Sequence, residues 1–154
     1  MQFDAQNFMN AVFTEVNDTK VVQCPAGEYQ AISEKIEPRS GTIGKGERQG
    51  DAWASLNITW SVTDQAVLAL LGRDKVIVYQ SIMLDLTPQG GLDMGAGKNV
   101  NLGRLREALG MNQPGQPFSP SMMQGHLAKI SVRHVPSFKD PSQFVAEVSG
   151  VIRG

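Results

Sequence analysis

The strongest constraint on the fold is a strict two-residue alternation in the stretch AWASLNITWSVT, from Ala52 to Thr63. Side chains two residues apart point to the same side of a β-strand. One face of this stretch is apolar and carries Ala54, Leu56, Ile58, Trp60 and Val62. The other face carries Trp53, Ser55, Asn57, Thr59 and Ser61. The alternation predicts a strand with one buried face, and it leaves the indole of Trp53 on the polar face.

Four further strands and one helix follow from the remaining pattern. The other strands are predicted at Gly27–Pro38, with Ile32 and Ile36 on one face, and at Lys75–Leu86, Gly125–His134 and 143–152. The helix is predicted between strands three and four, with Asn101 as its cap, Leu102, Leu105 and Leu109 as its buried stripe, and Gly110 at its end. This order indicates an all-β fold with one helix. It is typical of the OB-fold, a five-stranded Greek-key barrel that binds oligonucleotides and oligosaccharides.

The length of 154 residues suits one folded domain with a sizeable core. We expect an N-terminal extension at residues 1–24, helical or loose, in which Asp4 could cap a short helix, and an OB-fold domain at residues 25–154. No apolar run reaches the length of about 20 residues that a membrane span needs, and the first residues do not resemble a secretory signal. The single cysteine, Cys24, excludes an internal disulfide and favours a reducing cytoplasm.

The glycine-rich stretch GAGKN, from Gly95, invites comparison with nucleotide-binding loops. A phosphate-binding loop of the Walker type needs a glycine where this chain has Leu92, and a serine or threonine where it has Asn99. We therefore expect this stretch to lead into the helix rather than to hold a nucleotide.

The chain offers no group of residues that would carry catalysis. His126 and His134 would lie roughly 26 Å apart on one strand. Asp85 and Asp93 flank a glycine turn, but they have no third ligand at a recognised spacing. The sequence predicts a protein that is not an enzyme and uses no metal and no cofactor.

Binding is better supported than catalysis. The net charge is −1, but segments 1–37, 38–50, 51–97 and 98–154 carry −4, +2, −3 and +4. These segment charges fit either ordinary surface charge or a local basic groove.

Trp53 is the first candidate for base stacking, although the preceding loop could cover it. Tyr79, between Ile77 and Ser81, is a weaker candidate, because a tyrosine at such a position more often belongs to the core. The candidate contacts around them are Arg39, Lys45 and Arg48 in the first loop, Lys129 and Arg133 on strand four, and Phe138 and Lys139 in the last loop.

Three segments carry a family resemblance: PAGEYQA (25–31), YQSIMLDLTPQGGLDMGAGKNVNLGRLREALGMNQPG (79–115), and GHLAKISVRH (125–134) followed by FVAEVSGV. In these segments the chain resembles the OB-fold single-stranded DNA-binding proteins of tailed bacteriophages. The resemblance implies sequence-tolerant binding of single-stranded DNA in phage replication or recombination, in the host cytoplasm, with phage replication or recombination proteins as further partners. Many such proteins end in an acidic tail that recruits partners. This chain ends in VAEVSGVIRG, so recruitment by that route is not expected.

Two other classes remain open from the sequence. One is a phage structural or assembly protein whose β-barrel binds protein rather than DNA. The other is a regulator that uses the barrel against a host enzyme. The sequence also leaves the oligomeric state open.

Overall fold

The computed structural model describes residues 2–18 and 22–153. Its sheet contains five strands: β1 (Gly27–Thr42), β2 (Ala52–Val62), β3 (Val76–Leu84), β4 (Leu127–Pro136) and β5 (Phe144–Ile152). They close into a barrel in the order β1-β2-β3-β5-β4. Neighbours are antiparallel except β3 and β5, which meet in parallel at Tyr79 and Glu147. The prediction of an all-β fold built on five strands is confirmed at this level.

The described residues contain three α-helices, whereas the sequence predicted one in the barrel domain and a possible short helix capped by Asp4. The three helices are α1 (Ala5–Asn10), α2 (Gln65–Leu71) and α3 (Val100–Ala108), and a 3-10 turn spans Pro120–Met123. Asp4 caps α1 as predicted, because its carboxylate accepts from the backbone of Gln6 and Asn7. Helix α2 lies in the connection between β2 and β3. The sequence predicted this segment only as a connection that could contain a helical turn, because its apolar pattern is short, and Val67 is the buried residue of the helix.

Strand β2 builds the centre of the barrel as its alternation predicted. Leu56, Ile58, Trp60 and Val62 are at most 3% exposed. The Trp60 indole Nε1 donates a hydrogen bond of 2.9 Å to Gln80 Oε1, so its single polar atom is satisfied inside the core. The other buried hydrophobic residues around these are Cys24, Ala31, Val67, Val76, Val78, Ile82, Leu102, Leu105, Met111, Met123, Ala128, Ile130, Val132 and Val148.

A register shift in β1, between Ser33 and Lys35, corrects the predicted face of the first strand. Ile32 is exposed, whereas Ile36 packs against the core, so these two residues do not share a face. A β-bulge inserts one residue and exchanges the two faces beyond it. Ser33 anchors the shift, because its Oγ donates to the Met123 carbonyl at 2.6 Å and accepts from the His126 amide at 3.0 Å. Beyond the shift, Lys35, Glu37 and Arg39 line the outer surface of the barrel.

Strand β1 also runs four residues further than predicted. Arg39, expected in a loop, pairs with Ser55 inside the β1–β2 ladder, and the strand ends at Thr42. The remaining loop is closed at its base by two backbone bonds, from Ile43 N to Asp51 O at 2.9 Å and from Gly50 N to Ile43 O at 2.8 Å. Arg39 therefore has a fixed position on the sheet.

The cap of α3 also differs from the prediction. Asn99, and not Asn101, is the capping residue, and it has a left-handed backbone with φ of 52°. Its side chain bonds to the segment that follows β3, at Asp85 and Asp93. The glycine-rich stretch before α3 is thus fastened to the barrel. Leu102 and Leu105 are buried as predicted, and Leu109 is half-buried at the helix end.

Cys24, placed by the sequence in the N-terminal extension, is 3% exposed and contacts the core. Burial raises the pKa of its thiol above the ordinary value, and the charge of Asp64 raises it further.

Across residues 2–18 and 22–153, the helices are all too short or too polar to pass through a lipid bilayer.

Candidate nucleic-acid interface

One large concave surface lies across the outer side of the barrel, and we name it the outer groove. Its cavity volume is about 1090 Å³. Strands β1, β2, β3 and β5 all contribute to it. Its lining residues are Glu34, Lys35, Glu37, Arg39, Asn57, Thr59, Lys75, Ile77, Tyr79, Gln80, Ser81, Gln124, Val145, Ala146 and Glu147. The groove is thus centred on the polar face of β2 and the outward face of β3.

Tyr79 is the aromatic residue most available in the outer groove. It lies opposite Thr59 in the β2–β3 ladder, and 63% of its surface is exposed. It also forms the parallel bridge to Glu147 on β5. A flat, exposed ring set among polar side chains can stack on a nucleobase of any kind.

Trp53 lies six residues before Thr59 on β2, about 20 Å away along the strand, and does not line the outer groove. It is half-buried, because its indole lies across Gly41 on the neighbouring strand. A Cβ atom built on Gly41 would come within 2.8–2.9 Å of the indole, so the indole needs a residue without a side chain here. Trp53 is packed on one side, and Tyr79 offers more free ring surface.

The charges of the outer groove are nearly balanced. Three basic and three acidic side chains line it. Lys35 Nζ lies 2.5 Å from Glu37 Oε1, Lys75 is paired with Glu34, and Arg133 at the margin lies 2.7 Å from Glu147. The hydrogen bond between Lys35 and Glu37 raises the pKa of the lysine and lowers the pKa of the carboxylate, so both are charged at neutral pH.

Arg39 differs from the other cations of the outer groove. Within the described ranges no salt bridge to Arg39 is formed, and its side chain is exposed. A guanidinium can bind a phosphate through two parallel hydrogen bonds. Arg39 is therefore the cation of the groove that a phosphate could reach without breaking a direct ion pair, although its charge also acts on Glu37 and lowers the pKa of that carboxyl.

Asn57 forms part of the floor of the outer groove. Its Oδ1 is buried and, in the part of the chain that the structure describes, has no hydrogen-bond partner. Buried polar atoms without a partner are uncommon in folded proteins. A small rotation of this amide towards the groove would give it a partner on a bound ligand.

The remaining predicted site residues are spread around the outer groove. Lys45 and Arg48 lie in the β1–β2 loop, beyond Trp53, and Arg48 is paired with Asp51 at 3.2 Å. Phe138 and Lys139 lie in the loop between β4 and β5, where the Phe138 side chain is fully exposed. Lys129 lies between Gln30 and Ile152 in the ladder, away from β2 and β3. The fold thus places Arg39 and Tyr79 in the lining of one groove, about four residues apart along the strands, and leaves Lys129 outside it.

Sequence reasoning missed several residues of the groove, above all Lys35, Lys75 and Asn57. The alternation correctly predicted that Asn57 lies on the polar face of β2. The sequence pattern could not show that the side-chain oxygen of Asn57 has no hydrogen-bond partner among the described residues. Lys35 was hidden by the bulge, because a regular alternation does not show which face follows an inserted residue. Lys75 immediately precedes β3 and reaches Glu34 on another strand, a contact between distant parts of the sequence.

In comparisons with known proteins, neither a protein-family model nor a curated protein matches this chain. The interpretation of the outer groove therefore depends on its residues and its place in the barrel.

Proposed function

We propose that this protein is an OB-fold protein that binds single-stranded DNA in the outer groove with little sequence preference. The strand order β1-β2-β3-β5-β4 and the helix between β3 and β4 support the OB-fold assignment. OB-folds bind oligonucleotides on the face of strands two and three and with the loops that join strands one to two and four to five. The outer groove lies on the face of β2 and β3, and Lys45 and Phe138 lie in the connections between β1 and β2 and between β4 and β5.

The observation that carries the proposal is the exposed ring of Tyr79 in the middle of the groove. Thr59 and Ser81 are polar neighbours, and Arg39 supplies an available guanidinium. A ring for a base and a cation for a phosphate are the two elements of sequence-tolerant single-strand binding. The resemblance to phage single-strand-binding proteins extends the proposal to phage replication or recombination in the host cytoplasm.

Replacing Tyr79 by alanine is expected to weaken binding of an unstructured oligonucleotide by about 1–3 kcal/mol, or roughly 5–150-fold in Kd. The salt dependence of binding should stay nearly unchanged, because stacking releases no counterions. Fluorescence anisotropy of a labelled oligothymidine at two salt concentrations measures both quantities.

The matched control for this experiment is Tyr79→Phe, which keeps the ring and should bind within a few-fold of the parent. Ring removal should leave folding intact, because Tyr79 is exposed and contributes little to the core. If Tyr79→Ala binds as tightly as the parent, the groove is not the stacking surface. If the parent itself leaves the oligonucleotide unbound at low salt, the proposed function is wrong.

Replacing Glu37 by glutamine is expected to strengthen DNA binding, in contrast to the usual effect of changing a groove residue. The change removes a carboxylate that repels phosphate and releases Lys35 from its ion pair. One additional phosphate contact should steepen the plot of log binding constant against log salt by about 0.7. Titrations of the two proteins over a range of salt concentrations test this result.

Glu28→Gln is the control with the same charge change, because Glu28 lies on β1 opposite Ser131, away from the groove. It should alter binding much less than Glu37→Gln. Equal effects of the two variants would show that only net charge matters and that Lys35 makes no local contact.

The balanced charge of the groove also favours a second candidate, a phage assembly protein whose barrel binds protein. The carboxylates of Glu34, Glu37 and Glu147 suit a partner that carries basic side chains. In that case Glu37→Gln would weaken binding of the partner, and the anisotropy of the oligonucleotide would not change.

A further inference from the structure

A second concave surface lies under the extended β1–β2 hairpin, and we name it the hairpin groove. Its volume is about 1010 Å³. Its main apolar walls are Ile36, Leu56, Leu84, Leu92 and Phe118. Of the described residues that line it, none is ionisable. This surface is unsuited to a phosphate backbone and suited to an apolar segment.

The N-terminal arm, residues 2–18, presents apolar side chains that the barrel does not cover. No residue of α1 is buried. Among the aromatic rings of the described residues, the ring of Phe8 contacts those of Phe3 and Phe13, which also belong to the arm. The distances between ring centroids are 5.2 Å to Phe3 and 6.3 Å to Phe13. The exposed large side chains of the arm are Phe3, Phe8, Met9, Val12, Phe13 and Val16, and their exposed fractions run from 51% to 95%. A surface of this kind typically marks an interaction site.

We propose that the hairpin groove receives the N-terminal arm of a second copy of this chain, so that two copies exchange arms in a symmetric dimer. The run FMNAVF, from Phe8 to Phe13, contains no charged residue and matches the uncharged lining of the groove. The pairing needs no ion pair to be buried, so the usual desolvation cost of charges does not arise.

The point where the arm joins the barrel favours exchange over docking within one chain. The Cys24 carbonyl accepts a hydrogen bond of 2.7 Å from the His134 ring, next to the first residues of β1. The hairpin groove is built on the other end of that strand, from Ile36 to Thr42. To reach the groove of its own chain the arm would have to run back along the length of β1, whereas the groove of a second copy can lie directly beside it.

The expected contact area also suits a dimer. A buried aromatic side chain contributes about 150–250 Å². Three phenylalanines from each of two arms would bury roughly 900–1500 Å², and Met9 and Val12 would add to this. Specific protein interfaces bury about 1200–2000 Å² in total. Reciprocal exchange doubles the area that one arm provides, which a single docked arm could not do.

The test is the oligomeric state of the full chain, measured by sedimentation velocity over a range of protein concentrations. The parent should form dimers. The double variant Phe8→Ser with Phe13→Ser should weaken dimerisation by at least about tenfold. Ser40→Glu places a carboxylate in the uncharged groove and should have a similar effect, whereas Ser40→Ala should not. Leu70→Ser, which changes an exposed apolar residue on α2, should leave the dimer unchanged.

A mixing experiment identifies the contact. The arm variant keeps a working groove, and the Ser40→Glu variant keeps a working arm, so a mixture of the two should form heterodimers more readily than either variant forms homodimers. A monomeric parent would overturn the proposal, including the case in which the arm docks on its own barrel. A dimer that persists in both variants would also overturn it. None of these measurements uses DNA, so the result is independent of the proposed function.

Discussion

Replacing Leu105 by alanine is expected to lower the free energy of unfolding by about 2–5 kcal/mol. Leu105 is 2% exposed and lies on α3, which packs against β5 and β3. Removing its side chain takes apolar surface out of the core and leaves a cavity that the barrel cannot fill without moving the helix. Leu102, equally buried, should respond in the same way.

Urea unfolding followed by far-ultraviolet circular dichroism measures this loss. Leu109→Ala should cost clearly less, because Leu109 is half-buried where the helix ends. Arg104→Ala is the control on the exposed side of α3 and should change stability by less than about 0.5 kcal/mol. If Leu105→Ala and Arg104→Ala have equal effects, α3 does not pack against β5 and β3 in solution.

The features of the fold that the sequence predicted are those that depend on near neighbours. The alternation in β2 predicted the buried residues Leu56, Ile58 and Trp60, because the period of a strand is local. The cap by Asp4 could be predicted for the same reason, because Asp4 bonds to the nearby amides of Gln6 and Asn7. The pairing of β3 with β5 was not readable, since it joins Tyr79 to Glu147 across most of the second half of the chain. Such contacts are decided by the packing of the whole barrel.

The bulge in β1 explains why the sequence placed Ile32 and Ile36 on one face and missed Lys35 in the outer groove. One inserted residue exchanged the faces of Ile32 and Ile36, and it placed Lys35 and Arg39 on the outer groove. A sequence shows a bulge only when a glycine or an abrupt change of pattern marks it, and Glu34 gives no such sign. The extension of β1 to Thr42 was likewise hidden, because Pro38 and Gly41 are residues that usually end strands.

The ion pairs change what the charged residues can do. Arg48 and Arg133 were predicted to contact phosphate, yet each is paired with a carboxylate, on Asp51 and on Glu147. The segment charges counted these cations as free. Exposed pairs of this kind are weak and are screened by salt, so a phosphate can compete for them at a modest cost. We therefore expect the proposed affinity for DNA to depend only weakly on salt concentration. Stacking should contribute a larger share of the binding free energy than it does in strongly basic single-strand-binding proteins.

Asn99 holds the glycine-rich stretch to the segment that follows β3. Its Oδ1 accepts from the Asp85 amide at 2.8 Å, and its Nδ2 donates to the carbonyls of Asp85 and Asp93 at 3.0 and 2.8 Å. Its own amide donates to Asp85 Oδ2 at 2.8 Å. The side chain is 8% exposed, so water cannot readily replace these partners. Asn99 thus ties the segment after β3 to the start of α3.

Replacing Asn99 by alanine is expected to destabilise the protein by about 3–5 kcal/mol. Three side-chain hydrogen bonds are lost, each worth about 1 kcal/mol net, and their partners are left unsatisfied at a buried position. Alanine also pays about 1–2 kcal/mol for the left-handed backbone at this position. Asn99→Gly removes the same hydrogen bonds without that backbone cost, so urea unfolding should place it between the parent and Asn99→Ala. Asn101→Ala, on the exposed side of α3, is the control and should be nearly neutral. Equal stability of the parent, Asn99→Gly and Asn99→Ala would show that this network does not hold the stretch to the barrel.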